Sequence, residues 1–211
     1  MGNKRIFEAA ACMTLALLVG SPTWAQCPDQ RFGSAAEFGY VVNSDWSIAQ
    51  TYTAALGGKV DRIEVQVGRV GVPAAPLRLE VRTTTTGVPD SGPSAVIARA
   101  EMPPATINDL SYVAFDLSGE SLVAAPGNTF AICLLAPNSS ESAIDDIYYF
   151  VGDETSDYPG GTGFALWGGD SDWVVITTEN ASSVDFGFAV FLDCTTPVDA
   201  VSWSRVKALY H

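Results

Sequence analysis

The strongest constraint on the fold is a pair of short blocks in which apolar and polar residues alternate. The first block spans residues 63–67 and the second spans 77–81, on either side of a linker that contains Gly and Pro. Successive side chains of a strand point to opposite faces. The positions predicted to face inward are Ile63, Val65, Val67, Leu77, Leu79 and Val81. The positions predicted to face water are Glu64, Gln66, Arg78, Glu80 and Arg82. This pattern predicts a half-buried antiparallel hairpin.

Similar blocks recur along the chain and are separated by turns rich in Gly, Pro and Asn. Further strands are predicted at residues 48–54, 95–101, 113–117, 130–135, 147–151, 163–167, 173–178 and 185–192. Many short strands with regular turns favour an all-β antiparallel sandwich over a parallel sheet, which would need helical crossovers. Only the two ends of the chain look helical.

The N-terminal residues have the pattern of a secretory signal peptide. Lys4 and Arg5 precede an apolar run over 9–19, and small residues lead to Ala25. The apolar run is shorter than the ~20 residues that span a bilayer, and we expect cleavage after Ala25. The predicted parts are a signal peptide (1–25), a β-sandwich domain (26–194) and a C-terminal tail (195–211). We therefore expect a secreted or cell-surface location without a transmembrane span.

The charge of the chain argues against a nucleic-acid partner. The net charge is −13, and it becomes one unit more negative without the leader. A surface of this sign repels phosphate backbones.

The histidine content argues against most enzymatic mechanisms. The only histidine is His211, the last residue of the sequence. A Ser-His-Asp or Cys-His arrangement, or a histidine-bound metal, needs a histidine held inside the fold. A carboxylate-dependent glycoside hydrolase needs only two acids facing one cleft. The acids of Asp145-Asp146 and Asp153-Glu154 are adjacent, so their side chains diverge. We predict no catalytic residues.

Three cysteines remain after cleavage, an odd number for an oxidising compartment. Cys27 opens the domain and Cys194 closes its last predicted strand, and the end strands of a sandwich often lie side by side. We therefore predict a Cys27–Cys194 disulfide. Cys133 lies in an apolar run and is predicted to be a buried free thiol. A lipid anchor on Cys27 is disfavoured by Gln26 and Trp24 at the preceding positions.

The most suggestive stretch for a binding site mixes acids with aromatic residues between positions 145 and 173. Aromatic faces suit the C–H face of a sugar ring, and carboxylates accept hydrogen bonds from its hydroxyls. The predicted ligand-binding residues are Asp153, Asp157, Tyr158, Trp167, Asp170, Asp172 and Trp173. Two alternatives stay open: the acids bind calcium, or the aromatic residues pack the core while the acids solvate loop tips. Trp46 fits a core position equally well.

The tail places Trp203, Val206 and Tyr210 on one face of a predicted short amphipathic helix. Such a helix either docks on the sandwich or provides a contact with a partner or with sorting machinery.

Several short segments occur in an order that resembles secreted bacterial domains of the choice-of-anchor R type. The segments are 49–54, 59–63, 79–83 with 87–89, 121–122 with 126–132, and 158–161 before Trp173. The resemblance implies a jelly-roll-like sandwich, exported for display or adhesion, and no catalytic residues. The chain has no Leu-Pro-x-Thr-Gly motif and no hydrophobic anchor at its C-terminal end, which leaves residues 203–210 as the candidate attachment segment.

These observations give three hypotheses for the function. The first is a non-enzymatic β-sandwich module for surface display, adhesion or glycan binding, and it expects exposed aromatic residues around 153–173. The second is a structural subunit of an extracellular assembly, and it expects those aromatic residues to be buried and a sheet edge to be open. The third is a small carboxylate-dependent glycoside hydrolase.

Overall fold

The structure is a computed structural model, and it describes residues 26–33, 38–137, 139, 146–154, 158–168, 170–179 and 183–193. The predicted signal peptide 1–25 and the predicted tail 195–211 lie outside these residues, as do Asp157 and Cys194. Helix in the described part is limited to two short 3-10 turns, Pro93–Ala95 and Pro104–Thr106.

The described residues form sixteen β-strands. They are β1 (Gln26–Phe32), β2 (Phe38–Val42), β3 (Trp46–Thr53), β4 (Gly58–Val70), β5 (Leu77–Arg82), β6 (Thr84–Thr85), β7 (Val88–Pro89), β8 (Val96–Met102), β9 (Ser111–Asp116), β10 (Val123–Ala124), β11 (Thr129–Leu135), β12 (Ile147–Asp153), β13 (Gly163–Trp167), β14 (Val174–Val175), β15 (Asp185–Phe186) and β16 (Phe188–Asp193).

The strands form two antiparallel sheets that pack as a sandwich, as the sequence predicts. Sheet 1 contains eight strands: β1, β2, β4, β9, β10, β12, β15 and β16. Sheet 2 contains six strands in the order β14-β13-β3-β11-β5-β8, and β6 and β7 form a separate small hairpin. None of the helical segments described is long and apolar enough to cross a membrane.

One apolar core fills the space between the two sheets. All six positions predicted to face inward from the alternating blocks have no exposed surface. Burying an aliphatic side chain of this size contributes about 1.5–3 kcal/mol to folding. The large rings of Tyr52, Phe115, Phe150 and Phe188 complete the core.

The predicted hairpin between the two alternating blocks is wrong. β4 pairs with β9, β12 and β16 in sheet 1, whereas β5 pairs with β8 and β11 in sheet 2. The linker therefore carries the chain across the core. Gly71, at φ +66°, lies in it, and the Tyr148 hydroxyl donates to the Ala75 carbonyl oxygen at 2.6 Å. Two facing strands satisfy the same inward alternation as two paired strands, so the pattern did not identify the partner.

Two residues predicted to face water, Gln66 and Glu80, are buried. Glu80 lies on the outer face of sheet 2, where its carboxylate contacts the guanidinium groups of Arg82 at 2.6 Å and Arg99 at 3.0 Å. A carboxylate with so little exposed surface is stable as an ion only when such partners compensate for its lost hydration.

The strands predicted at 48–54, 95–101, 113–117, 130–135 and 147–151 correspond to β3, β8, β9, β11 and β12, whereas two later predictions are shortened or divided. Residues 163–167 match β13, but the strand predicted at 173–178 shrinks to β14 and an isolated bridge between Thr177 and Ser183. The strand predicted at 185–192 divides at Gly187 into β15 and β16. The sequence did not predict β1 or β2.

The first and last strands described lie side by side, as the disulfide prediction requires. β1 pairs with β16, and Cys27 is opposite Leu192 in that register. Because Cys194 lies outside the described residues, the Cys27–Cys194 disulfide stays a prediction. Cys133 is a fully buried free thiol, as predicted, and burial raises its pKa.

Candidate functional site

Two exposed tryptophans lie side by side at one end of the sandwich. Trp46 begins β3 and Trp167 ends β13, and the two residues are opposite each other in the β3–β13 register. Their ring centroids are 5.9 Å apart at an interplanar angle of 84°. Trp46 is 43% exposed and Trp167 is 37% exposed. The pair thus forms an apolar edge-to-face platform in contact with solvent.

A polar turn holds Trp46 at the start of its strand. The Asn43 side-chain oxygen accepts hydrogen bonds from the backbone N–H groups of Asp45 at 2.9 Å and Trp46 at 2.8 Å. The Asn43 N–H in turn donates to the Trp46 carbonyl oxygen at 3.0 Å. This side-chain-mediated turn is a common use of asparagine. It fixes the backbone of Trp46 and leaves the indole ring at the surface.

A second turn positions an acidic residue beside Trp167. The Asp170 N–H donates to the Trp167 carbonyl oxygen at 2.9 Å, and both Asp170 and Asp172 are exposed. Gly168 packs so closely on the first turn that an added Cβ would lie 2.9 Å from the Asp45 carboxylate. We call the set of Asp45, Trp46, Trp167 and Asp170 the tryptophan rim. Of these, the sequence predicted Trp167 and Asp170 as ligand-binding residues. The predicted Asp172 is not part of this set, because it follows Ser171, whose carbonyl oxygen accepts a hydrogen bond from the Ser91 hydroxyl.

Trp173 was predicted to bind ligand but is only 6% exposed. It packs on the outer face of sheet 2 in a small cluster with Ala49, Ala131, Cys133 and Phe164. The two alanines and the cysteine have small side chains, so they leave room for an indole above the sheet. The expectation of an exposed aromatic ring at this position is wrong.

Tyr158 is also buried, at 6% exposure, far from the tryptophan rim. Its ring contacts Phe32 and Phe188, with centroids 5.7 Å and 5.2 Å away. The Gly160 carbonyl that follows it accepts a hydrogen bond from Thr53. Thr53 lies seven residues along β3 from Trp46, roughly 23 Å in an extended strand. The predicted aromatic set is therefore divided between opposite ends of the sandwich.

Asp153 is fully buried, and it lies opposite the equally buried Asp185 in the β12–β15 register. Asp185 accepts hydrogen bonds from the Gln50 side-chain amide at 3.0 Å and from the Tyr158 N–H at 2.9 Å. The Gln50 side-chain oxygen accepts from the Phe186 N–H at 2.8 Å. These contacts join β3 of sheet 2 to β15 of sheet 1. The acid predicted at position 153 to meet a ligand is part of the interior.

Three enclosed polar atoms near Tyr158 have no hydrogen-bond partner among the described residues: the hydroxyls of Tyr52 and Tyr158 and one carboxylate oxygen of Asp29. Burial is the largest cause that raises the pKa of Tyr158, to about 12, and it also raises the pKa of Tyr52. The other Asp29 oxygen accepts from the Ala55 and Leu56 N–H groups at 3.0 Å and 2.6 Å. This end of the core therefore encloses polar atoms that the described residues leave without a partner.

The described residues do not provide a set of ligands that would support the calcium alternative. In the described ranges, no group of three or more His, Cys, Asp or Glu side chains is arranged to hold a metal ion. Asp170 belongs to the tryptophan rim, Asp172 is exposed outside it, and Asp157 lies outside the described residues.

Neither the protein-family models nor the curated proteins include a match to this chain. The resemblance to choice-of-anchor R domains therefore stays a prediction from short sequence segments. The class that the fold itself defines is an all-β, two-sheet antiparallel sandwich.

Proposed function

We propose that this chain is an exported, non-enzymatic, jelly-roll-like β-sandwich module that acts in surface display or adhesion by binding a glycan at the tryptophan rim. The observation that carries the proposal is the exposed pair of Trp46 and Trp167. The other tryptophan among the described residues, Trp173, is buried. Exposure is thus particular to this pair.

The rim supplies both kinds of contact that a sugar ring needs. The indole faces offer apolar surface to the C–H groups of a pyranose, and covering them removes this surface from water. The carboxylates of Asp45 and Asp170 accept hydrogen bonds from sugar hydroxyls. Two short turns fix the backbone on both sides, which reduces the ordering cost of binding.

The charge of the chain favours one class of glycan over another. The whole chain carries a net charge of −13, and the rim contributes two carboxylates, Asp45 and Asp170. Sulfated or uronic-acid sugars would meet like charge there, whereas neutral or amino sugars would not. We therefore expect neutral or amino sugars to bind best.

The acids that face each other elsewhere do not support a hydrolase. Asp153 and Asp185 are opposite each other but fully buried, so they provide no cleft for a substrate. Export through the signal peptide 1–25, and attachment or sorting through Trp203, Val206 and Tyr210, belong to the proposal on sequence grounds alone.

A structural subunit is the second candidate, and two observations favour it. Tyr158 and Trp173 are buried, as that hypothesis expects. β8 also forms an edge of sheet 2. The two candidates are compatible, because the tryptophan rim and β8 lie on different strands.

The test is a glycan array with the mature chain, residues 26–211, followed by calorimetric titration of the sugars that bind. Trp46→Ala and Trp167→Ala should each weaken binding at least tenfold, which corresponds to about 1.4 kcal/mol. Phe38→Ala is the matched control, since Phe38 is an exposed ring (48%) on β2 of the other sheet. The proposal is contradicted if no sugar binds, or if Phe38→Ala weakens binding as much as the tryptophan variants.

A further inference from the structure

We infer that two copies of this chain associate through β8, which pairs with its own symmetry mate to join the two copies of sheet 2 into one continuous sheet. β8 is the last strand of sheet 2 and pairs with β5 on one side. Within the described ranges, no strand pairs with its other side. An edge strand presents backbone N–H and C=O groups that another strand can bind.

Solvent reaches part of this edge, where a cavity separates β8 from Glu120. A solvent-exposed cavity of about 270 Å³ lies along the first half of β8, lined by Val96, Ile97, Arg99 and Glu120 among others. The side chains of Ile97, Ala100 and Met102 are only partly buried against the core. A second strand laid along the edge would cover this apolar surface.

The outer side chains of β8 make the edge complementary to itself. Arg99 and Glu101 point to the outer face of sheet 2, and their side chains are 50% and 45% exposed. In a two-fold antiparallel pairing centred on Ala100, Arg99 lies opposite Glu101 of the partner subunit. The same symmetry places Glu101 opposite Arg99 of the partner subunit. Opposite charges on directly opposed residues stabilise a strand pair.

The register inside the chain extends this match across four strands. Glu80 lies opposite Arg99, and Arg78 lies opposite Glu101, in the β5–β8 pairing. The row that starts at Glu80 therefore continues through Arg99 to the partner subunit's Glu101 and then the partner subunit's Arg78. Charges alternate along the whole row, and the symmetry-related row does the same.

Neighbouring registers lose this match. A pairing centred on Arg99 places Arg99 opposite Arg99 of the partner subunit. A pairing centred on Glu101 places Glu101 opposite Glu101 of the partner subunit. Both registers bring like charges together. A one-residue slip between the strands would bring an outward side chain opposite an inward one. The charges thus select a single register.

The flanking prolines limit the length of the ladder. β8 is bounded by 3-10 turns at Pro93–Ala95 and Pro104–Thr106, and Pro103 cannot donate a backbone hydrogen bond. In the Ala100-centred register, residues 98–102 of each copy pair. A ladder of five residues is short, so the association is weak and reversible, and the repulsion between two acidic chains weakens it further.

The test is sedimentation velocity of the mature chain over about a hundredfold range of concentration. Wild type should pass from monomer to dimer as concentration rises. Arg99→Glu and Glu101→Arg should each stay monomeric alone, because each homodimer would oppose like charges at both pairs. An equimolar mixture of the two variants should form a dimer again. In that heterodimer the glutamate introduced at position 99 faces the arginine introduced at position 101, and the native Glu101 of one variant faces the native Arg99 of the other.

Two controls separate this interface from misfolding and from the other edge. Circular dichroism and thermal unfolding show whether each variant is folded before mixing. Arg31→Glu changes the charge on β1, the edge strand of sheet 1, and should leave dimerisation unchanged. The inference is overturned if wild type stays monomeric, if either variant dimerises alone, if the mixture does not recover the dimer, or if Arg31→Glu abolishes it.

Discussion

The side chain of Gln50 joins the two sheets, and replacing it with leucine should cost the domain several kilocalories of stability. Gln50 is fully buried on β3. Its amide nitrogen donates to Asp185 and to the Thr51 carbonyl oxygen, at 3.0 Å and 2.9 Å. Its oxygen accepts from the Phe186 N–H at 2.8 Å. Leucine has a similar size but makes none of these hydrogen bonds.

The expected loss of stability follows from the polar groups that would lose their hydrogen-bond partner in Gln50→Leu. A lost hydrogen bond to a charged carboxylate costs about 1.5–3 kcal/mol, and a buried N–H left without a partner costs about 1–3 kcal/mol. We therefore expect Gln50→Leu to lower the free energy of unfolding by about 3–5 kcal/mol. For a domain of this size that lowers the midpoint by roughly 6–20 °C.

The measurement is urea and thermal unfolding of the mature chain, followed by circular dichroism. Gln66→Leu is the matched control, because Gln66 is also a buried glutamine on an inner strand, yet its side-chain oxygen has no partner among the described residues. This variant should change stability by less than about 1 kcal/mol. A loss below about 1 kcal/mol for Gln50→Leu, or equal losses for both variants, would refute the role assigned to Gln50.

Three further predictions concern the buried tyrosines, Trp173 and the cysteines. Burial raises the pKa of Tyr148 and Tyr158 to about 12, above the unfolded value near 10. The free energy of unfolding should therefore be constant below pH ~10 and fall as the pH rises towards 12. Thermal midpoints measured against pH, together with tyrosinate absorbance, check this prediction. Trp173→Ala should cost about 3–5 kcal/mol and open Cys133 to thiol labelling, whereas Trp173→Phe should keep the thiol protected. Unfolded mature protein without reductant should titrate as one thiol per chain, and three thiols would exclude the Cys27–Cys194 disulfide.

The alternating blocks identified the faces of the strands but not their partners. Ile63 and Leu79 are buried as the alternation requires, yet β4 and β5 belong to different sheets. The side-chain period of a strand depends only on which face meets the core. Whether the next strand lies beside it or across the core depends on the path of the linker, which local patterns do not encode.

The candidate site was predicted only in part, because composition does not report burial. Trp167, Asp170 and Asp172 lie at the surface as expected, whereas Trp173 fills a gap above small residues that are distant in sequence. The sequence did not identify Trp46 as a surface residue, because its position alternates in step with the core residues of β3. It is exposed because it lies at the end of the strand. Only the pairing of β3 with β13 brings it to Trp167.

Binding of a glycan at the tryptophan rim can be observed in the NMR spectrum of the indole N–H groups during a glycan titration. The mature chain keeps four tryptophans: Trp46, Trp167, Trp173 and Trp203. We predict that the indole signals of Trp46 and Trp167 shift together and saturate with the same affinity, while the signal of Trp173 does not shift. A shift of Trp173 or Trp203 with Trp46 and Trp167 unchanged would contradict it.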